Sequence, residues 1–194
     1  MHSNKGNRSA GAGALRIVGG KYRSRLLRVP ARPGLRPTPD RVRETLFNWL
    51  GQDLTGLACL DLFAGSGALG FEAASRGAAR VVMVEKDRAA VAELERSRAT
   101  LDAAQVTIIG GDAAAYLARV RERFDVVFLD PPFRQNAVPA ILGSLPAHLA
   151  RGARVYVESD VPVDAPSPWI ELRRGKAGQV SYQLLQWNAN EGQP

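Results

Sequence analysis

Apolar residues along this chain fall into short blocks, and the spacing inside the blocks changes from one to the next. From about position 57, continuous apolar runs alternate with stretches in which apolar positions recur every three or four residues. The runs predict buried strands at 58–63, 80–85, 105–109, 124–129 and 153–157. The spaced stretches predict helices at about 67–76, 88–101, 113–121 and 136–149. Val91, Leu94 and Leu101 mark the inner face of the second of these helices. Strands apolar throughout, each followed by an amphipathic helix, imply a mainly parallel sheet covered on both faces. The end breaks this rhythm. Residues 170–173 and 180–187 are strand-like and are joined by a basic glycine loop at 174–178, with no helix between them, so an antiparallel pair is expected.

The segment ahead of position 57 is organised differently. Residues 1–14 are polar and rich in small residues, charged only at Lys5 and Arg8, and are expected to be disordered. Ile17-Val18 and residues 26–29 are β-like and flank Gly19-Gly20, which predicts a small hairpin presenting Lys21, Arg23 and Arg25. Tyr22 lies among these cations and serves either to stack on a base or to pack the hairpin. Residues 32–39 form a proline-punctuated loop. Thr38 followed by Pro39 predicts a helix capped by the threonine and running to about Leu50. Its apolar face is Val42, Leu46, Trp49 and Leu50, with Arg41, Glu44 and Asn48 on another. The expected organisation is a tail at 1–14, an appended hairpin and helix at 15–50, one domain at 51–187, and a frayed end at 188–194.

Charge changes this picture more than composition does. Hydrophobic residues at 45% and charged residues at 23% are ordinary for a globular chain. No apolar run reaches the roughly 18 residues that span a membrane, and the N-terminus has no apolar leader core. Cys59 is the one cysteine and sits in an apolar strand, and the histidines are His2 and His148. A cytoplasmic protein with no metal is expected. The net charge is +7, but residues 1–43 hold eleven Lys or Arg against one acid, whereas residues 44–194 hold fifteen against eighteen. A basic arm on a nearly neutral domain points to a polyanion, most simply nucleic acid.

Residues 60–70 read LDLFAGSGALG. A strand, a small-residue turn and a helix in succession open a nucleotide-binding α/β unit. Gly65, Gly67 and Gly70 fit G-x-G-x-x-G, and Glu85 follows Gly65 at the distance of a ribose-binding acid. That pattern suits NAD and S-adenosylmethionine (SAM) equally. Asp61, Glu85, Asp112 and Asp130 all fall at predicted strand ends. Glu85 is placed to accept ribose hydroxyls. Asp112 either caps a helix or accepts from an adenine amino group. The strand at 124–129 ends in Asp130-Pro131-Pro132-Phe133. Prolines remove backbone donors, so this corner offers carbonyls and a carboxylate, which suit an exocyclic amino group. Phe133 is placed to stack on its base.

Together these residues resemble the SAM-dependent amino-methyltransferases of nucleic-acid bases. The DLFAGSG run from Asp61, Glu85, Asp112 within GDA, and Asp130-Pro131-Pro132-Phe133 match that group's motifs. RIVGGK from Arg16 and RPTPDRVRETLFN from Arg36 narrow the resemblance to the RsmD family, over residues 15–187. The resemblance implies a Rossmann-like class I methyltransferase fold: a seven-stranded, mainly parallel sheet ordered 3-2-1-4-5-7-6 with one antiparallel strand, plus the N-terminal hairpin and helix. It implies methyl transfer from SAM to N2 of guanine 966 in 16S ribosomal RNA, carried out within the assembling small subunit by a monomer. SAM would be held by Thr38, Arg41, Asp61, Phe63, Ala64, Gly65, Ser66, Gly67, Glu85, Lys86, Asp112, Ala113 and Asp130. Asp130, Pro131, Pro132 and Phe133 would serve catalysis, and Arg16, Lys21, Tyr22, Arg23, Arg25, Arg36 and Arg43 would hold RNA. Deleting residues 1–30 is expected to cost RNA methylation more than SAM binding. The rivals are a nicotinamide oxidoreductase, a DNA adenine or cytosine amino-methyltransferase, and a non-catalytic ribosome-assembly protein.

Overall fold

The alternation of buried runs and amphipathic stretches is realised almost segment for segment in a computed structural model, which describes residues 13–29, 38–132 and 137–188. In chain order the elements are β1 (Gly13–Arg16), β2 (Leu26–Val29), α1 (Asp40–Leu50), β3 (Ala58–Asp61), α2 (Ala68–Ser75), β4 (Arg80–Glu85), α3 (Arg88–Leu101), β5 (Val106–Gly110), α4 (Ala113–Leu117), β6 (Phe124–Leu129), α5 (Val138–Ser144), β7 (Leu149–Ser159), β8 (Trp169–Ala177) and β9 (Val180–Trp187). β1 and β2 form an antiparallel hairpin. The other seven strands form one sheet ordered β5-β4-β3-β6-β7-β9-β8. The first five run parallel, and β9 lies antiparallel between β7 and β8.

The unbroken apolar strands are explained by burial on both faces. Along β4, Val81 and Met83 enter one apolar cluster while Val82 and Val84 enter the other, and along β6 Val126 and Phe128 part from Val127 and Leu129 in the same way. The first cluster also takes in the hairpin and helices α1, α2 and α3, through Leu15, Ile17, Leu27, Leu46, Phe47, Phe71 and Leu94. The second takes in α4 and α5. The hairpin therefore shares the core of the sheet. Cys59 is buried in that core, which pushes its thiol up to about 12 and leaves it unreactive.

Several boundaries differ from expectation for identifiable reasons. β1 begins at Gly13, inside the stretch expected to be disordered, while Ile17 and Val18 lie just past its end. The helix expected over 136–149 is α5 followed by a 3₁₀ turn, Leu145–His148, with Pro146 near its start; proline cannot supply the α-helical amide at that point. The basic glycine segment at 174–178 is largely strand, because β8 extends to Ala177 and the turn lies beyond it. Gly175 pairs with Tyr182, and a Cβ there would sit 2.3 Å from the tyrosine ring. The glycine makes room for a cross-strand aromatic and does not mark a loop. Pro39 occupies the cap position of α1, which has no side-chain cap. Thr38 is one residue too early to cap and turns its hydroxyl elsewhere.

Candidate active site

Parallel β3, β4, β5 and β6 bring their C-terminal ends to one edge, where open α/β sheets bind ligands. Between β3 and α2 the chain makes a tight turn with Gly65 at φ 52° and Gly67 at φ 78°. A Cβ on Gly67 would meet Phe71 at 2.5 Å and Leu94 at 2.7 Å, so this turn closes only on glycine. Asp61 is buried at the end of β3 and accepts from the Gly70 amide at 3.1 Å, tying the first turn of α2 to the strand. Burial pushes its carboxyl up to about 7, against the lowering effect of backbone amides at Gly70 and Phe63. Glu85 braces the turn from the next strand. Its Oε2 accepts from the Gly65 amide and its Oε1 from the Asp87 amide, both at 2.8 Å. Each oxygen keeps a lone pair for a further donor. Asp112 caps α4, accepting at Oδ1 from the amides of Ala114 and Ala115. Its Oδ2 is left facing outward, 3.7 Å from the exposed Lys86 ammonium. Of the two readings open for Asp112, the cap is observed, and it leaves one oxygen for a ligand. Ala64, Ser66 and Ala113 are buried, whereas Phe63 and Gly65 are half-buried and remain reachable. A turn of glycines and small residues, flanked by two acids with acceptor capacity, fits a ribonucleoside with a charged tail.

A second group of residues lies at the ends of β6 and β7. Asp130 is half-buried and Glu158 is buried. The Thr38 hydroxyl stands 3.5 Å from Asp130 Oδ2, and the Tyr156 hydroxyl donates to Glu158 Oε1 at 2.8 Å. Burial, and then the neighbouring Glu158 and Asp61 carboxylates, hold the Asp130 carboxyl well above its ordinary value. Burial raises Glu158 likewise, while hydrogen bonds from Tyr156 and Thr38 oppose the rise. Pro131 is buried and Pro132 exposed; Phe133 lies outside the described residues. Sequence reasoning missed Glu158 and Tyr156. The available signal was an acid closing one more apolar strand, 155–158, beside the four already marked.

The basic arm is only partly as expected. Arg16, Lys21, Arg23 and Arg25 are exposed on the hairpin and free to meet phosphates. Arg41 is exposed on the first turn of α1, and Arg36 lies outside the described residues. Two expected RNA ligands are withdrawn. Arg43 is 0% exposed: its Nη2 donates to Asp40 Oδ1 and to the Arg16 carbonyl, each at 2.6 Å, and its Nη1 to Glu72 Oε2 at 3.2 Å. Tyr22 is 4% exposed and its ring belongs to the core, so of its two readings packing is the one observed. Glu72, on α2, is the centre of this network. Its carboxylate also accepts from the Val18 and Gly19 amides at 2.9 and 2.8 Å and pairs with Arg76. Ser75 accepts from the Tyr22 amide and donates to the Gly19 carbonyl. The hairpin is thus bolted to the far end of α2, roughly 12 Å along the helix from the glycine turn.

Residues 15–186 match the family described as Conserved hypothetical protein 95. The chain is 46% identical over 185 residues to ribosomal RNA small subunit methyltransferase D of Escherichia coli strain K12, covering 93% of each. It is 42% identical over 182 residues to the protein of that name from Haemophilus influenzae, covering 90% of this chain and 94% of that one. The solved structure of yhhF from Escherichia coli superposes with a TM-score of 0.84 at 42% identity, covering 91% of this chain and 99% of that one. The chain belongs to this family. It has the class I methyltransferase fold, and it is a methyltransferase that uses SAM.

Proposed function

We propose that the protein transfers a methyl group from SAM to the exocyclic N2 amino group of a guanine in 16S ribosomal RNA, within the assembling small subunit. The observation that carries this reading is the Asp130-Pro131-Pro132 corner at the same sheet edge as the glycine turn and Glu85. Its support includes the near full-length match to proteins named for the small-subunit RNA. Among the described residues no helix is long and apolar enough to cross a membrane, and no three His, Cys, Asp or Glu gather as a metal site.

SAM, when bound, supplies an electrophilic methyl on sulfur. Glu85 and the outward oxygen of Asp112 would accept from its ribose and adenine, and the 64–67 turn would let its tail approach the backbone. Thr38, beside Asp130, and the exposed Arg41 would hold that tail. Asp130 accepts from N2–H of the guanine, which favours a pyramidal nitrogen with its lone pair available and offsets the positive charge that develops on it. The carbonyls around Pro131 and Pro132 add acceptors, and Phe133 stacks on the extruded base. Fixing the amino group against the methyl supplies up to about 7–11 kcal/mol of the barrier reduction. Arg16, Lys21, Arg23, Arg25 and Arg36 hold RNA phosphates.

The test uses methyl-labelled SAM with four acceptors: naked 16S RNA, small subunits lacking the modification, 23S RNA and duplex DNA. Label in N2-methylguanine at one site of 16S RNA or of the subunit is expected. Label in DNA, or in adenine or cytosine, overturns the substrate. Asp130→Ala is expected to abolish transfer while calorimetric SAM binding persists; near-normal turnover in that variant sinks the role given to Asp130.

A further inference from the structure

Methyl transfer to N2 forms an N–C bond as the S–C bond breaks, with both electrons of the new bond coming from nitrogen. The nitrogen is left cationic and must release one proton. The corner that receives the amino group contains one obvious acceptor, Asp130, but a lone ionised carboxylate is a weak base. Glu158 changes that. It reaches the same sheet edge from β7, the strand that pairs with β6 through Leu129↔Val157. It is buried, it follows Val157 as Asp130 follows the paired Leu129, and it interacts electrostatically with Asp130; the Thr38 hydroxyl stands 3.5 Å from Asp130 Oδ2 and also favours the ionised form of Glu158. Two carboxylates that interact at one desolvated strand edge cannot both ionise at little cost. Tyr156 donates to Glu158 Oε1 and holds that carboxyl in place.

We propose that Glu158 is a positioning residue of the methyl transfer: it shares one proton with Asp130 at the paired ends of β6 and β7, beside the Thr38 hydroxyl, and thereby makes Asp130 the acceptor of the proton that N2 gives up. The inference rests on the reading of Asp130 given above. When the N2–H bond breaks, its electron pair stays on nitrogen and the proton goes to the Asp130 carboxylate. The proton leaves to water once the product base departs. The groups facing the pair are Asp61 from β3, Thr38 ahead of α1, and Tyr156 from β7, whose ring packs against Tyr182 from β9. Asp61 acts on Asp130 in the same direction as Glu158. The contribution of Glu158 is therefore read as a difference between variants.

The experiment combines single-turnover methylation of 16S RNA against pH with infrared titration of protonated carboxyls in the SAM-free protein. In the wild type the acid limb of the rate is expected above the ordinary carboxylate range. A limb near about pH 4 overturns the proposal. Glu158→Gln keeps the Tyr156 and Thr38 partners but removes the charge. Its acid limb is expected to move down by about one pH unit or more. The infrared spectrum should lose intensity from one protonated carboxyl at the pH of the wild-type limb. A Glu158→Gln limb at the wild-type position, with the rate lowered uniformly, means a structural role only and overturns the proposal. Thr38→Val removes a donor that lowers both carboxyls, so its limb should move the other way, to higher pH. That opposite shift tests the proposal even where Glu158→Gln fails to fold, and a downward or absent shift counts against it. No N2-methylguanine with the wild type fails the reading of the site itself, and the inference with it.

Discussion

Replacing Arg43 with methionine separates a structural arginine from an RNA ligand. The side chain is wholly buried and makes three contacts, to Glu72, Asp40 and the Arg16 carbonyl. Methionine fills most of the volume but donates nothing. Removing one member of a buried ion pair costs about 3–5 kcal/mol when the partner charge is stranded. Here Glu72 keeps Arg76 and two backbone amides, so its charge is not stranded. The Arg16 carbonyl loses its guanidinium donor, worth about 1 kcal/mol. The expected loss is therefore about 2–4 kcal/mol. For a chain of this size each kcal/mol moves the melting temperature by roughly 2–4 °C, so 3 kcal/mol predicts a drop of roughly 6–12 °C. Circular dichroism melts read this, with 16S RNA affinity measured below the transition. Affinity per folded molecule should barely change. Arg23→Ala, at an exposed position, should do the reverse: an unchanged melt, weaker RNA binding and a salt dependence shallower by about one unit of slope. An Arg43→Met protein that melts like the wild type yet binds RNA poorly would refute the burial argument.

Glu85→Ala should weaken SAM binding by about 10–100-fold, because it strips a charged acceptor from the Gly65 amide as well as from the ligand. Unchanged calorimetric affinity would place the ribose elsewhere. Asp61 predicts a pH dependence of stability. Its folded pKa is raised to about 7 from an ordinary carboxylate value, so the folded state binds a proton that the unfolded chain releases. The stabilisation is complete in acid below the unfolded value, at about pH 4, and is lost as pH rises through about 7, on the order of 4 kcal/mol in all. Urea unfolding of Asp61→Asn from pH 4 to pH 8 should show a flatter curve than the wild type, since the amide oxygen still accepts from Gly70; parallel curves would contradict the shift.

What could be read from sequence, and what could not, follows from where the determining partner lies. Val81 to Val84 announce a strand buried on both faces by themselves, because the pattern is local. Asp61, Glu85, Asp112 and Asp130 could be placed at one sheet edge because topology brings strand ends together, and parallel order was implied by the intervening helices. Arg43 was misread because its partner Glu72 is 29 residues away and looks like a surface acid. A hint existed: in ALGFEAAS every other residue of α2 is small or apolar, and a helix of that composition has no wet face. Tyr22 stayed open between stacking and packing because cations surround it in sequence, and the partner that decides for packing, Ser75, holds its backbone at a separation of 53. Thr38 had the sequence of a cap and the position of a site residue, which only three-dimensional placement beside Asp130 distinguishes.

The same network alters what truncating the basic arm measures. Sequence alone suggests that deleting residues 1–30 costs RNA methylation more than SAM binding. The structure argues otherwise. Deletion strips Glu72 of two amides, Ser75 of its hairpin partners and Arg43 of the Arg16 carbonyl, and it uncovers the face that Ile17 and Leu27 bury. Burying two such side chains alone is worth about 3–6 kcal/mol, a large share of the stability of an ordinary domain. The damage would pass along α2, whose other end carries Gly70 and the glycine turn. Loss of both activities in the deletion is therefore expected and says nothing of RNA contacts. The informative variant keeps the backbone and removes charge: Lys21, Arg23 and Arg25 to alanine together, all exposed. It should retain the wild-type melt and SAM affinity while RNA methylation at low RNA concentration falls, with the deficit narrowing as salt is lowered. If that triple variant methylates RNA like the wild type across salt concentrations, the hairpin is a structural clamp and the polyanion is held elsewhere.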